Sequence, residues 1–166
     1  MRREPEARTV EAKAATHVIL STFRANGLLL ATGDVVAGAE GLTSARWQVL
    51  GAIALADRPL TVPQIARRMG LTRQSVHVTV GHLVDEGFAE FAPNADHRRS
   101  PLVRLTEQGS ATYSALDGRQ AAWVNQLAVG IGRSELETTA RVLDELCRRL
   151  EANGADQTNR NEGGER

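Results

Sequence analysis

The sequence is poor in the residues and runs on which several classes of protein depend. It has one cysteine in 166 residues, which excludes an intrachain disulfide framework. It has no long apolar run, and no apolar stretch follows the charged residues at positions 2–4, so we expect neither a membrane span nor a signal peptide. We therefore expect a cytoplasmic protein. The formal net charge is zero, so the chain as a whole has no attraction to polyanions.

The residue patterns of common enzymes and metal sites are also missing. We find no Ser/His/Asp arrangement, no carboxylate pair of evident role and no glycine-rich phosphate loop. His77 and His82 are five residues apart and would diverge on a helix, and no cysteine or carboxylate cluster completes a tetrahedral site with His97. We expect no enzymatic activity, no metal and no cofactor.

The middle of the chain predicts two short helices joined by a tight turn. Thr61 and Gln64 have the spacing of a capping box, and the apolar residues that follow recur at helical spacing as far as Gly70. Thr72 can cap a second helix, which ends at Gly87 because glycine readily adopts the left-handed conformation of a C-cap. This order of signals is typical of a helix-turn-helix.

A β-hairpin is predicted directly after the second helix. Residues 88–92 and 102–105 favour short strands, and the polar segment between them is bounded by prolines. We call this hairpin the wing. An arginine at such a tip can enter a DNA minor groove, where negative potential is focused, and a nearby carboxylate can orient it. Asp96 is therefore expected to orient Arg98, and the expected DNA contacts at the tip are His97, Arg98 and Arg99.

The second helix has an outward face whose side-chain types suit a DNA groove. Arginine and glutamine can make bidentate contacts with base edges, serine can bind phosphate, and valine can contact a thymine methyl group. An ordinary solvated face is the alternative, but the capped turn and the basic wing beside it favour DNA contact. The contacts expected from the two helices are Thr61, Gln64, Thr72, Arg73, Gln74, Ser75, His77 and Val78.

The charge is distributed unevenly along the chain. Residues 58–104 hold seven arginines and four acidic residues, a net charge of +3, so the rest of the chain carries −3. The positive excess lies on the helices and the wing that are expected to face DNA, which favours double-stranded DNA as the partner.

Taken together, these motifs resemble the MarR family of winged helix-turn-helix regulators. The resemblance rests on the stretch GLTSARWQVL at 41–50, the helix-turn-helix, Asp96-x-Arg98 and the stretch LVRLTEQG at 102–109, and it covers roughly residues 12–150. It implies a homodimer that binds a pseudo-palindromic operator, usually represses transcription, and often releases DNA when a small aromatic or anionic effector binds. His97 departs from the family, because many members carry a basic residue before the wing arginine.

The predicted fold is mainly α with a small β-hairpin wing. The segments are a disordered tail at 1–9, an N-terminal dimerisation helix at 10–40, the winged helix-turn-helix lobe at 41–106, C-terminal dimerisation helices at 107–152 and a disordered tail at 153–166. Gly27 and Gly33 argue against one straight N-terminal helix. A capping box at 134–137 opens the last helix, whose apolar residues are spaced four and three apart. They predict a dimer seam of Leu136, Ala140, Leu143, Cys147 and Leu150.

Three further interpretations concern regulation and partners. An effector pocket between the dimerisation helices and the DNA-binding lobe would be lined by His17, Arg24, Arg46, Trp47 and Trp123, and a plain core role for the aromatic residues is an equal alternative. The chain could also be a redox-sensing regulator acting through Cys147, although its place on an apolar seam favours structural burial. The remaining alternative is a winged-helix protein-interaction module that has lost DNA binding.

Overall fold

The structure, a computed structural model, describes residues 7–162 and, beyond residue 153, only the backbone. Its elements, in chain order, are α1 (Val10–Gly38), α2 (Ser44–Ala54), β1 (Leu60–Thr61), α3 (Val62–Met69), α4 (Arg73–Asp85), β2 (Ala89–Ala92), β3 (Leu102–Leu105), α5 (Glu107–Leu127) and α6 (Arg133–Glu162). They form two compact units, which divide between Ala122 and Trp123. The predicted class, mainly α with a small β wing, is confirmed. None of the helices in the described range combines the length and the apolar character that a membrane span requires.

The core of the first unit is built from the inward faces of α2, α3 and α4. Apolar residues at helical spacing put one side of each helix into this core, and burying each large side chain contributes about 1.5–3 kcal/mol. Because the inner side of α4 is buried, its opposite side is held outward. The fully buried large side chains of these helices are Val49, Leu50, Ile65, Val76, Val80 and Leu83.

The caps predicted for the helix-turn-helix are present. Gln64 Oε1 accepts a hydrogen bond from the Thr61 backbone N–H at 2.8 Å, and Thr72 Oγ1 accepts one from the Ser75 backbone N–H at 3.1 Å. The chain turns after α3 at Gly70, with φ +63°, and after α4 at Gly87, with φ +81°. Both glycines adopt the left-handed conformation expected of a helix C-terminus.

The wing belongs to a three-stranded antiparallel sheet with the order β1-β3-β2. The predicted hairpin pairs β2 with β3, with Phe91 opposite Val103, and β1 pairs with the other edge of β3, with Leu60 opposite the same residue. The sequence does not predict β1, because a two-residue strand is too short to show the alternation of a strand. β1 anchors the wing to the start of α3.

Helix α1 is continuous through both of its inner glycines, so the break indicated by Gly27 and Gly33 does not occur. Gly33 is buried against α2, and a Cβ added there would lie 2.6 Å from the Ser44 hydroxyl oxygen. The glycine therefore serves close helix packing. In the same place Asp34 Oδ1 accepts a hydrogen bond from the Ser44 backbone N–H at 2.6 Å, which adds a polar tie between α1 and α2.

The last helix begins earlier and ends later than predicted. It starts at Arg133, and Glu135 Oε2 accepts a hydrogen bond from the Gly132 backbone N–H at 2.9 Å, so the cap lies two residues before Ser134. The helix also runs to Glu162, through most of the tail expected at 153–166, because residues 153–162 contain no proline and a single glycine. Of the tail expected at 1–9, residues 7–9 precede α1, and residues 1–6 and 163–166 lie outside the described range.

Candidate nucleic-acid interface

Helix α4 presents the outward face that its sequence predicts. Arg73, Gln74, Ser75, His77 and Val78 are all exposed, and half of the Val78 surface (51%) is accessible. An exposed valine among polar residues has no core to join, and its methyl groups suit a thymine methyl group in a major groove. We call α4 the recognition helix.

The recognition helix and the wing share one groove, which we call the first groove. It has a volume of about 530 Å³ and is lined by Arg73, Gln74 and His77 of α4 and by Arg99, Ser100 and Pro101 of the wing. The structure therefore brings together two sets of side chains that lie more than twenty residues apart in the sequence. No acidic side chain lines this groove, and two arginines do, which suits a polyanionic ligand.

The wing loop is held by Asn94, a residue that the sequence analysis missed. Its Nδ2 donates a hydrogen bond to the Ser100 carbonyl oxygen at 2.8 Å, and its Oδ1 accepts one from the Asp96 backbone N–H at 3.1 Å. The expected pair of Asp96 with Arg98 is not among the ion pairs of the described residues. An asparagine directly after a proline in a turn is a signal that could have found this role, because its side chain bonds backbone two residues on.

Three of the residues expected to contact DNA form the N-terminal caps of α3 and α4. Thr61 is buried, and its hydroxyl donates to Gln64 Oε1 at 3.0 Å, so this side chain positions α3 and is not available to a ligand. Gln64 is half-buried, and its amide nitrogen remains as a donor. Thr72 is exposed and uses its oxygen as the cap of α4.

A separate cavity of about 460 Å³ lies among α1, α2, α3 and α5 in the first unit. Of the residues predicted to form an effector pocket, Trp47 lines it. Arg46 instead pairs with Glu86, at 2.8 Å between Nη1 and Oε1, and His17 and Arg24 are exposed on α1. Trp123 is half-buried in the second unit. Within the first unit, the predicted residues are thus not gathered at this cavity.

The polar groups of this cavity come from residues that sequence reasoning missed. Arg68 contributes a positive charge to its wall, and the Arg68 Nη2 donates a hydrogen bond to the Leu55 carbonyl oxygen at 3.1 Å. Tyr113 also lines the cavity, and burial, helped by the negative charge of Asp117, raises the pKa of its phenol. No sequence signal marks Arg68, because it reads as one more exposed residue of a short basic helix.

The predicted dimer seam lies along α6 in the second unit. Leu136 and Leu150 are 43% and 69% exposed, Ala140 and Cys147 are exposed, and Leu143 is half-buried. An apolar line with this exposure on one chain is available to another surface. Beside it, hydrogen bonds from Arg148 and Arg149 lower the pKa of Glu145 to about 2, so its carboxylate is ionised at neutral pH.

Comparison with known proteins identifies the family. A sequence profile described as the MarR family matches residues 40–100, which contain α2, the helix-turn-helix and the wing loop. The protein Rv2011c of Mycobacterium tuberculosis is 42% identical over 135 residues, which cover 81% of this chain and 93% of that protein. The chain belongs to the MarR family. As a MarR family member it is a DNA-binding transcription regulator and not an enzyme.

Other transcription regulators are similar over shorter or more diverged stretches. The transcriptional activatory protein BadR of Rhodopseudomonas palustris is 30% identical over 107 residues, 61% of this chain and 59% of that protein. Among solved structures, the regulator MosR of M. tuberculosis in complex with DNA has a TM-score of 0.69 at 21% identity, covering 81% of this chain and 96% of its own. Staphylococcus aureus MarR in complex with salicylate and kanamycin has a TM-score of 0.67 at 15% identity, covering 84% and 94%. At these identities the two structures establish the fold alone.

Proposed function

We propose that this MarR family protein acts as a homodimer on a pseudo-palindromic operator. Each protomer places the recognition helix in a major groove and the tip of the wing in the adjacent minor groove. The observation that carries the proposal is the first groove, in which Arg73, Gln74 and His77 of the helix face Arg99 of the wing. The solved complex of MosR with DNA, which has the same fold, supports DNA as the occupant.

The helix and the wing make different kinds of contact in this proposal. Arg73 and Gln74 stand in the first turn of α4, where side chains reach base edges and read sequence. Arg98 is exposed in the wing loop and contributes through the potential of a narrow minor groove, which depends on A/T content and less on individual bases.

Fluorescence anisotropy across operator variants tests this division of roles. Gln74→Ala or Arg73→Ala should cost about 1–3 kcal/mol of binding free energy and relax the preference at one position in each half-site. Arg98→Ala should weaken binding with little change in the ranking of variants, except at A/T-rich flanks. Arg133→Ala, which removes a charge from the second unit, is the control. Equal and small effects of the helix and wing variants would contradict the proposed docking.

The proposal of a homodimer is supported by apolar side chains that the single chain leaves open. The α6 seam exposes Leu136 and Leu150, and α1 exposes Leu20, Phe23 and Leu28, of which Phe23 is 70% accessible. Apolar side chains that recur along an exposed helix face suit burial against a partner surface. A two-fold dimer would also set the recognition helices about 34 Å apart, one turn of DNA.

Repression of neighbouring genes is the proposed outcome of operator binding, because a dimer that covers a promoter excludes other proteins from it. A reporter driven by the bound promoter should rise in expression when the protein is deleted. A fall in expression would instead indicate activation, which is the role that the transcriptional activatory protein BadR is named for.

The cavity beside Trp47 is the proposed effector site. Trp47 and Leu30 offer apolar surface, Arg68 offers a cation, and Tyr113 offers a neutral phenol, whose pKa burial raises further above neutral pH. A small aromatic carboxylate or phenol matches these groups, as salicylate does in chemical type. Arg68 belongs to α3, so a ligand that draws it from the Leu55 carbonyl oxygen acts directly on the helix-turn-helix.

Calorimetry with salicylate, with and without operator, tests the effector site. A 10- to 100-fold loss of DNA affinity requires roughly 1.4–2.8 kcal/mol of coupling, and operator must weaken salicylate binding by the same factor. Arg68→Gln should lose salicylate binding, whereas Arg24→Ala, outside the cavity, should keep it. Failure of salicylate and related phenols to bind the free protein would contradict the proposal for this class of compound.

A further inference from the structure

A second groove lies between the wing loop and α3, and most of its residues are not among the DNA contacts described above. It has a volume of about 400 Å³. Besides the hydroxyl residues Thr61 and Ser100, its polar lining comes from the loop before β1, from α3 and from the wing loop: Arg58, Gln64, Arg67, Asn94, Asp96 and His97.

The second groove presents donors that the protein itself does not use. Arg58 and Arg67 are exposed, and neither takes part in the ion pairs found among the described residues. Asp96 supplies one carboxylate, so the two guanidinium groups leave an excess of one positive charge without counting His97. The side-chain carbonyl oxygen of Gln64 accepts hydrogen bonds from Thr61, which leaves its amide nitrogen to donate to a ligand. These guanidinium and amide donors suit a singly charged anion with several acceptor oxygens, such as a phosphodiester.

The position of the second groove indicates which phosphodiester it would meet. Pro63 and Ser100 line both the first and the second groove, so the two grooves adjoin at the start of α3 and the end of the wing loop. A DNA backbone that continues beyond the first groove on this side would meet the second groove, which carries Arg58 and Arg67. Because backbone contacts carry no base information, residues of this kind position the protein on DNA without changing its sequence preference.

We propose that Arg58 and Arg67 bind phosphate groups of the operator backbone outside the minor groove that the wing enters. This inference rests on the proposed function, since it requires the recognition helix and the wing to engage operator DNA as described above. It extends the contacted DNA outward from each half-site and makes the second groove a phosphate clamp.

The salt dependence of operator binding tests the clamp directly. Affinity for DNA decreases as salt increases, and the magnitude of the slope of log affinity against log salt decreases by about 0.9 for each phosphate that the protein no longer neutralises. When both protomers of a dimer carry one substitution, this magnitude thus decreases by about 1.8. Arg58→Ala and Arg67→Ala should each lower the slope by this amount and leave the ranking of operator variants unchanged. Arg67→Lys, which keeps the charge, should keep most of the slope, and Arg133→Ala should keep all of it.

The length of the duplex supplies the second measurement. Wild-type affinity should rise when base pairs are added outside each half-site, and the Arg58→Ala, Arg67→Ala double variant should not respond to them. Circular dichroism checks that the Arg58 and Arg67 variants, which are substituted at exposed positions, remain folded. Unchanged slopes in folded variants while wild type binds operator would overturn the clamp alone, as would preferential capture of an acidic peptide over flanking DNA. Failure of wild type to bind any operator would overturn the proposed function as well.

Discussion

The attachment of the wing to α5 depends on the residue at position 109. Thr106 Oγ1 donates a hydrogen bond to the Gly87 carbonyl oxygen at 2.6 Å and accepts one from the Gly109 backbone N–H at 3.0 Å. The Thr106 backbone N–H donates to the Phe88 carbonyl oxygen at 3.2 Å, which brings that oxygen over Gly109. A Cβ added to Gly109 would overlap the Phe88 carbonyl oxygen. The first turn of α5 thus packs on the chain that leaves the recognition helix.

Gly109→Ala should therefore destabilise the protein, although alanine is normally the better helix former. The clash must move backbone, so we expect a loss of at least about 1–3 kcal/mol in the free energy of unfolding. Gly118→Ala in the same helix is the matched control, because a Cβ there meets no atom within 4 Å, and it should stabilise by roughly 0.5–1 kcal/mol. Urea denaturation measures both. Stabilisation by both substitutions would show that α5 does not approach Phe88 closely.

Among the helices and strands, side-chain bonds hold both the wing loop and the end of the recognition helix in place. Asn94 bonds both to Ser100 and to Asp96 across the wing loop, and Arg46 of α2 pairs with Glu86 at the C-terminus of α4. Arg46, expected at an effector pocket, therefore ties α2 to the recognition helix. The Asn94 bonds thus hold the shape of the loop that carries Arg98 and Arg99.

Asn94→Ala removes both bonds of the wing loop and should weaken operator binding by up to about tenfold, since each hydrogen bond contributes about 0.5–1.5 kcal/mol. The loss should be greatest on operators with A/T-rich flanks, which the wing tip senses. Hydrogen exchange at the Asp96 amide should accelerate in the same variant. Asp96→Asn is the contrast: it should leave affinity unchanged or raise it. A larger loss from Asp96→Asn than from Asn94→Ala would show that the Asp96 carboxylate orients the wing.

At the scale of the whole molecule, assembly decides whether two recognition helices can address one operator. The five seam residues on α6 are spaced four and three apart, and two of the three leucines among them are largely exposed in the single chain. A seam of this spacing is completed by a second apolar helix surface. The partner proposed for it is a second copy of the chain.

Leu143→Asp should dissociate the dimer and abolish operator binding, because a charge buried in an apolar seam without a partner costs several kcal/mol. Thr138→Asp adds the same charge to the same helix away from the seam, and it should remain dimeric. Light scattering at micromolar concentration distinguishes the two outcomes. A stable wild-type monomer, or dimerisation of the Leu143→Asp variant equal to wild type, would contradict this assembly.

Features that depend on neighbours within a few residues can be predicted from the amino-acid sequence. Capping residues such as Thr72, helix ends at Gly70 and Gly87, and the apolar periodicity of α3 and α4 all act over one or two helical turns, so they can be read in one dimension. The outward face of the recognition helix followed from the same periodicity. The order of these local signals was also enough to indicate the family.

Which distant residues share a site depends instead on how the helices and strands pack. Arg46 meets Glu86 forty positions away, β1 finds its partner in β3, and Arg68 joins Trp47 and Tyr113 around one cavity. These contacts arise because the buried faces of several helices must pack together, and packing fixes the neighbours of a polar side chain without any local pattern to mark it. The same reason hid the second groove: Arg58, Arg67 and His97 are three ordinary surface residues until β1 and the wing loop bring them to one place.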